Sequence, residues 1–214
     1  MDNTSRMVAL LADLRRERNG LAADTMRFYG ARYGVNYGVA IHTVCDIVAD
    51  MPRDRDFAEY LYLQYVRELR IAALRLAEPE AITSADFDFW GAGIINSEVA
   101  EQAAMVLLSQ IDCIDELLDR WCYADNVLLS YAAMLAAARN RRCTPEKAVA
   151  AVAEAVAAFP DSRLVVQGAV ALLVAVAERS HEGRISVENL MQSLADDTPT
   201  VQSLREEMSW RLEL

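Results

Sequence analysis

The sequence is poor in the residues that interrupt helices. Its 214 residues include only 8 glycines and 5 prolines, while 54% are hydrophobic. So few turn residues exclude a sheet-rich fold with many tight turns and favour a chain made mostly of helices. No apolar run reaches about 18 residues without a polar interruption, so no membrane-spanning helix is predicted.

Residues that build disulfide frameworks or metal sites are also scarce. The two histidines are far apart, and no cysteine pair has CxxC spacing. The four cysteines are Cys45, Cys113, Cys122 and Cys143. We predict reduced thiols in or near the core of a cytoplasmic protein, with no metal site and no cofactor. The first 20 residues lack a basic stretch ahead of an apolar core, so no signal peptide is predicted.

Basic residues are outnumbered, with 21 Lys and Arg against 32 Asp and Glu and a net charge of −11. A protein that holds duplex DNA needs a basic face, because phosphate contacts supply most sequence-independent affinity. The overall charge therefore argues against DNA unless basic residues gather locally. The densest basic cluster contains Arg139, Arg141, Arg142 and Lys147. It either contacts phosphate or an acidic partner, or complements a helix C-terminus.

A short sequence motif with helical character occurs four times in the sequence. Its copies are Leu69-Arg-Ile-Ala-Ala-Leu74, Ala100-Glu-Gln-Ala-Ala-Met105, Leu129-Ser-Tyr-Ala-Ala-Met134 and Val166-Gln-Gly-Ala-Val-Ala171. The matching alanines, Ala72, Ala103, Ala132 and Ala169, are 31, 29 and 37 residues apart. Recurrence on this scale indicates stacked structural repeats, and small residues at matched positions let helices approach closely. We predict an all-α fold over residues 1–214, a single domain of antiparallel helix pairs stacked as a short HEAT-like solenoid.

Local signals mark several helix ends. Ser5 is predicted to cap the first helix, and Thr144-Pro145-Glu146 predicts another helix start. Gly183 is predicted to break the chain before a terminal helix beginning near Ser186. The segment from Tyr29 to Val39 repeats Tyr and Gly at a spacing of four, which fits either a kinked helix or a loop.

Three segments, spread over roughly residues 22–180, resemble sequence motifs of one known protein family. They are Tyr37-Gly38-Val39, Leu61-Tyr62 followed by Glu68 to Leu74, and Trp121 followed by Asp125-Asn126 to Met134. They resemble, in turn, the F-x-G-I/V, L-W with E-x-x-x-A-A, and W-x-x-x-D-N-x-W-x-x-R-A-A segments of the bacterial HEAT-like DNA alkylation-repair glycosylases, the AlkD family. The resemblance implies a HEAT-like fold with a concave DNA-binding groove.

In that family, a Trp and an Asp one helical turn apart, an Arg and a later Trp face the damaged nucleotide. The Asp stabilises the positive charge that develops as the glycosidic bond breaks. On this sequence these positions fall on Val99, Ala103, Tyr131 and Leu172. Since none of these side chains carries a fixed negative charge, the resemblance implies a relative without the family's catalytic residues.

Other residues near these positions have two interpretations. Glu98 and Glu101 form either a displaced acidic site or a solvated acidic face. Tyr131, Arg139, Arg141 and Arg142 are predicted to line a binding groove. The tyrosines at 29, 33, 37, 60, 62 and 65 either stack on bases or pack at the edges of the first helix pairs.

Two functional hypotheses follow. The first is a non-catalytic binding or scaffold module whose concave face holds a protein or peptide, in preference to DNA. The alternative is a divergent DNA alkylation-repair glycosylase or a damaged-DNA-binding protein that uses a local basic groove. In that case Glu98 or Glu101 would have to supply the missing acid.

Overall fold

The computed structural model describes residues 2–31, 33–194 and 198–212. Over these residues the chain forms thirteen α-helices and short 3₁₀ turns. The helices are α1 (Asn3–Arg16), α2 (Gly20–Phe28), α3 (Ile41–Val48), α4 (Arg55–Tyr62), α5 (Arg67–Leu76), α6 (Phe87–Ala92), α7 (Ser97–Val106), α8 (Ile114–Trp121), α9 (Val127–Asn140), α10 (Pro145–Ala158), α11 (Arg163–Arg179), α12 (His181–Ser193) and α13 (Pro199–Leu212). None of them is long and apolar enough to cross a membrane.

The helices form two layers. We call α3, α5, α7, α9, α11 and α13 the inner layer, because each of them packs against the next in this order. Helices α4, α6, α8, α10 and α12 form the outer layer on one side of it. Sequential helices pair across the layers, as α4 does with α5 and α8 with α9. The predicted all-α fold of stacked helix pairs is confirmed.

The four matched alanines explain how the inner layer packs. Ala72, Ala103, Ala132 and Ala169 lie on α5, α7, α9 and α11, and all four are buried. A methyl side chain lets neighbouring helix backbones approach closely. The tightest example is Gly168 on α11, where an added Cβ would lie 3.2 Å from Met134 Cβ on α9.

The predicted helix starts have different outcomes. Thr144 caps α10 and Pro145 is its first residue, as predicted. Ser5 does not cap α1, because the chain is already helical from Asn3 and the Asp2 carboxylate accepts the Ser5 backbone N–H at 3.0 Å. A carboxylate one turn upstream thus takes the capping position.

The prediction that Gly183 interrupts the helical structure is wrong. Helix α12 begins at His181 and runs through this glycine. A Cβ at position 183 would lie 2.3 Å from the Val176 carbonyl oxygen of α11. The glycine therefore permits close contact between two helices, and it does not end one.

The Tyr- and Gly-rich segment is a loop, one of its two predicted alternatives. From Gly30 to Ala40 the described residues contain no helix. Gly38 has φ +70°, and a Cβ there would lie 2.0 Å from the Asn19 carbonyl oxygen. The Asn19 N–H also donates to the Tyr37 carbonyl at 2.8 Å, so a close backbone approach holds this loop against the start of α2.

Candidate functional site

The positions that the family resemblance assigned to catalysis lie inside the protein. Val99 and Ala103 on α7 and Leu172 on α11 are all buried core residues. The fourth position, Tyr131 on α9, is also buried, but its hydroxyl donates to Glu101 Oε1 at 3.1 Å. The acids of α7 are instead the half-buried Glu98 and Glu101, one or two residues from the positions that the family resemblance gave.

Glu98 is part of an internal ion-pair network. Arg67, at the start of α5, donates from Nε and Nη2 to the two Glu98 oxygens at 2.8 and 2.6 Å. Glu68 is also buried, and its carboxylate accepts the backbone N–H groups of Tyr37 at 3.1 Å and Val39 at 3.2 Å. The network thereby joins the loop before α3 to the starts of α5 and α7.

The environment of Glu98 keeps it ionised. Burial alone would raise its pKa, but hydrogen bonds from Arg67 and from the Tyr33 hydroxyl hold the pKa below its ordinary value. Burial and the adjacent carboxylate raise the pKa of Tyr33. Glu98 is therefore not part of a solvated acidic face, because Arg67 and Tyr33 hold its carboxylate.

Glu101 differs from Glu98 because no cation pairs with it among the described residues. Its partner is the Tyr131 hydroxyl, whose pKa is raised to about 12 by burial and by the Glu101 charge. This carboxylate is half-buried on the inner layer. Among the described residues of α7 and α9, Glu101 is the acid that no cation neutralises.

The C-terminal ends of the inner helices carry a second charged feature, which we call the arginine edge. It consists of Arg53, Arg75, Arg139, Arg141, Arg142 and Arg179. Arg75, Arg139 and Arg179 lie in the last turns of α5, α9 and α11. A cation at a helix C-terminus is favoured by the helix dipole, so local electrostatics and repeat stacking together produce this row.

Hydrogen bonds connect the arginine edge along the stack. Arg53 Nη2 donates to Gln110 Oε1 at 3.2 Å in the turn after α7. Asn140, at the end of α9, donates to the carbonyl oxygens of Ser109 at 3.1 Å and Ile111 at 2.8 Å in the same turn. The ends of α7 and α9 are therefore tied together, and the arginines on either side belong to one surface.

Two of these arginines have no internal partner. Arg142 pairs with Asp112, and Arg53 lies 3.5 Å from Glu80. Arg139 and Arg141 are exposed, and neither side chain forms a hydrogen bond or ion pair with the described part of the chain. Arg141 has φ +61° where α9 ends, a conformation in which glycine or asparagine is more common.

A groove of about 290 Å³ separates α9 from α11 beside these free cations. Apolar side chains of Ala138, Ala171 and Val174 line it together with Arg139 and Arg141, and Glu178 and Arg179 lie at its C-terminal end. Between α3, α5 and α7, a second groove of about 430 Å³ includes Arg53 and Arg75. The edge thus offers guanidinium groups next to grooves, a geometry suited to phosphate oxygens.

Structure and sequence agree only partly on the basic cluster. Lys147 does not belong to the edge, because it pairs with Asp119 at 2.6 Å in the outer layer. The sequence interpretation missed Arg53, Arg75 and Arg179. The sequence feature that could have identified Arg75 and Arg179 is a basic residue in the last turn of an inner helix, as in α5, α9 and α11. It can be used only when the helices of the inner layer are already known.

The described residues contain no group of three or more side chains suited to hold a metal ion. All four cysteines are free thiols; Cys122 and Cys143 are buried. Burial raises the pKa of the Cys122 thiol to about 12, so this sulfur is not an activated nucleophile.

Comparisons with known proteins identify the fold. No family model matches the sequence, and no curated protein matches it. One solved structure matches with a TM-score of 0.71 and 18% identity, over 99% of this chain and 96% of that chain. That structure represents a new family of proteins related to the HEAT-like repeat DNA glycosylases, with affinity for branched DNA structures. The chain therefore has the HEAT-like repeat fold along its whole described length.

Proposed function

We propose that this protein is a non-catalytic HEAT-like module that binds branched DNA through its arginine edge. The observation that carries the proposal is the pair of exposed arginines without partners, Arg139 and Arg141, beside a groove in the inner layer. The structural neighbour's affinity for branched DNA supports DNA as the ligand. DNA thereby replaces a protein or peptide as the preferred partner.

The net charge of −11 is compatible with local DNA binding. At physiological ionic strength, exposed charges more than about 8 Å apart are largely screened, so nearby groups dominate a contact. Glu98 is already neutralised by Arg67, and the carboxylate of Asp112 is paired with Arg142. The groove beside Arg139 and Arg141 is lined by these two arginines, Arg179 and one acid, Glu178, so a phosphate there meets a net positive surface.

A glycosylase mechanism has little support from the inner layer. The reaction needs a fixed negative charge beside the sugar as positive charge develops there. Val99, Ala103 and Leu172 are buried and apolar, and Glu98 is held in its ion pair. Glu101 is the remaining acid on α7, and it would have to act alone.

The test is binding of a fluorescent four-way DNA junction and a duplex of matched sequence, at about 50 and 200 mM salt. We expect junction binding that weakens steeply with salt, and no release of bases from alkylated DNA in the same samples. Absence of junction binding at low salt would reject the proposal. Base release that Glu101→Gln abolishes would instead establish the glycosylase alternative.

Peptide binding is a second candidate function, favoured by a cleft of about 560 Å³ between α11 and α13. Its lining includes Asp161 and Glu206, which have no side-chain partner in the described chain, above an apolar floor of Val166 and Val170. Trp210 on α13 is 83% exposed, whereas Trp90 and Trp121 are buried. A shift in Trp210 emission on adding a lysine–leucine peptide, lost in Glu206→Gln, would support this function.

A further inference from the structure

The six tyrosines that were candidates for base stacking in the sequence fall into two groups in the structure. Four are engaged within the protein: Tyr33 with Glu98, Tyr37 with Arg15, Tyr60 with Thr4, and Tyr62 with the Trp90 carbonyl. Packing is therefore the correct interpretation for these four. Tyr29 and Tyr65 remain, and neither hydroxyl has a partner in the described part of the chain.

Tyr29 and Tyr65 are far more exposed than aromatic residues usually are. Their exposed fractions are 80% and 79%, and that of the adjacent Phe28 is 83%. The rings of Phe28 and Tyr29 are 5.2 Å apart and nearly perpendicular, at 86°. They present separate ring faces to solvent in place of one smooth apolar surface. An exposed ring face of this kind can stack on a planar base.

The loop that follows Tyr29 is fixed to the backbone of Tyr65. The Val35 N–H donates to the Tyr65 carbonyl at 2.7 Å, and Arg67 N–H donates to the Val35 carbonyl at 2.9 Å. Gly34 lies so close that a Cβ there would be 2.8 Å from the Tyr65 carbonyl oxygen. Tyr65 is thus presented from a rigid backbone, which lowers the entropy cost of binding.

An exchangeable cation is adjacent to the aromatic rings in the sequence. Arg27, next to Phe28, pairs with Asp24 at 3.0 Å, but both side chains are more than 70% exposed, at 72% and 71%. Such a pair contributes little and can exchange for a phosphate. Aromatic rings beside an exchangeable cation are typical of a surface that binds single-stranded nucleic acid.

We propose that Phe28, Tyr29 and Tyr65 form a stacking site for unpaired bases at the branch point of a DNA ligand. This inference rests on the proposed function and names the feature of branched DNA that the protein selects. Arginine contacts to phosphate cannot distinguish a branch from a duplex, because both carry the same backbone. Stacking on exposed rings can, since only unpaired or splayed bases offer a free face.

The experiment uses the full chain and three DNA probes: a fork with unpaired arms, a single strand and a matched duplex. The fork and the single strand carry 2-aminopurine at an unpaired position. We expect Phe28→Ala with Tyr29→Ala to weaken fork and single-strand binding by about 5- to 100-fold and to leave weak duplex binding unchanged. The 2-aminopurine fluorescence change seen with wild-type protein should disappear in this variant.

Three controls separate the possible outcomes. Tyr29→Phe should retain binding, because it keeps the ring, and Tyr123→Ala should have no effect, because that exposed tyrosine follows α8 in the outer layer. Equal loss for duplex and fork, or no loss at all, would overturn the stacking site while leaving the DNA proposal intact. If wild-type protein binds a four-way junction but none of these three probes, the stacking site is overturned and the DNA proposal stands; if it binds no DNA at all, both proposals fail.

Discussion

Arginine side chains have opposite roles at the two ends of the inner helices. At the N-terminal end, Arg67 is buried and its guanidinium is saturated by Glu98, Glu68 and the Val39 carbonyl. At the C-terminal end, Arg139 and Arg141 are exposed and have no partner in the described chain. Burial, and not residue type, decides which arginines hold the fold and which are free to bind.

This contrast has a physical basis. A buried guanidinium is costly unless carboxylates and carbonyls surround it, so its surroundings must be built into the fold. Water solvates an exposed guanidinium, so an ion pair with a carboxylate would stabilise it little and it stays free to bind a ligand. We therefore expect substitutions at Arg67 to affect stability, and substitutions at Arg139 and Arg141 to affect binding.

The largest effect is expected from Arg67→Ala. The change would leave Glu68 and Glu98 buried without their cation and lower the free energy of unfolding by about 3–5 kcal/mol. Urea denaturation measures this difference. Arg139→Ala, the matched control, should change it by less than about 0.5 kcal/mol. A loss below about 1 kcal/mol for Arg67→Ala would show that the buried network does not hold the loop to the inner layer.

The reciprocal prediction concerns DNA. Arg139→Gln with Arg141→Asn removes two free cations, and asparagine tolerates the positive φ at position 141. Junction affinity should fall about 10- to 100-fold, and the slope of log affinity against log salt should lose about two units. Fluorescence anisotropy across a salt series measures both.

The matched control for this double variant is Arg120→Gln with Lys147→Gln, which removes two outer-layer cations that pair with Asp88 and Asp119. The control should leave the salt slope unchanged. Equal losses in the two double variants would mean that total charge, and not the arginine edge, governs binding.

A smaller effect should appear on acidification. The folded-state pKa of Glu98 lies below its ordinary value of 4.5, because hydrogen bonds from Arg67 and Tyr33 outweigh the opposing effect of burial. Its stabilisation is therefore complete above that value and is lost as the pH falls through the lower, folded pKa. We expect the free energy of unfolding to fall as the pH drops below 4.5 and through this lower, folded pKa. Glu98→Gln should show a shallower decline in denaturation experiments, and an identical decline would exclude Glu98 as the titrating group.

The smallest effect is expected at Glu101. This carboxylate has a hydroxyl partner and no cation among the described residues, so it repels an approaching phosphate. Glu101→Gln should raise junction affinity about twofold, since salt screens a single charge. A decrease in affinity would indicate that Glu101 itself contacts the ligand.

The solenoid could be predicted because its determinants are local and periodic. Ala72, Ala103, Ala132 and Ala169 recur at repeat spacing, and all four lie where inner helices touch. Helix caps such as Thr144 depend on two or three adjacent residues, so they can be predicted directly from the sequence. Errors arose where the deciding contact was distant or ambiguous, as at Gly183, which serves the approach of α12 to Val176.

The candidate site could be predicted only in part. Arg139, Arg141 and Arg142 formed a visible cluster in the sequence, but Arg53, Arg75 and Arg179 join them only through stacking of the inner helices. Val99 and Ala103, the positions that the family resemblance gave on α7, are buried, and a shift of one or two residues along a helix moves a side chain between its surface and the core. Glu98, which seemed a free acid in the sequence, is the partner of Arg67, 31 residues away.

The sequence by itself determined the helical content, the repeat spacing and the small residues at the helix contacts, because these depend on short-range pattern. Only the tertiary structure decided which charges are neutralised and which are free. Pairing depends on distances between residues from different helices, and the linear sequence does not contain those distances. Arg67 and Arg139 look alike in the sequence, and their different surroundings in the folded chain separate a structural ion pair from a candidate DNA contact.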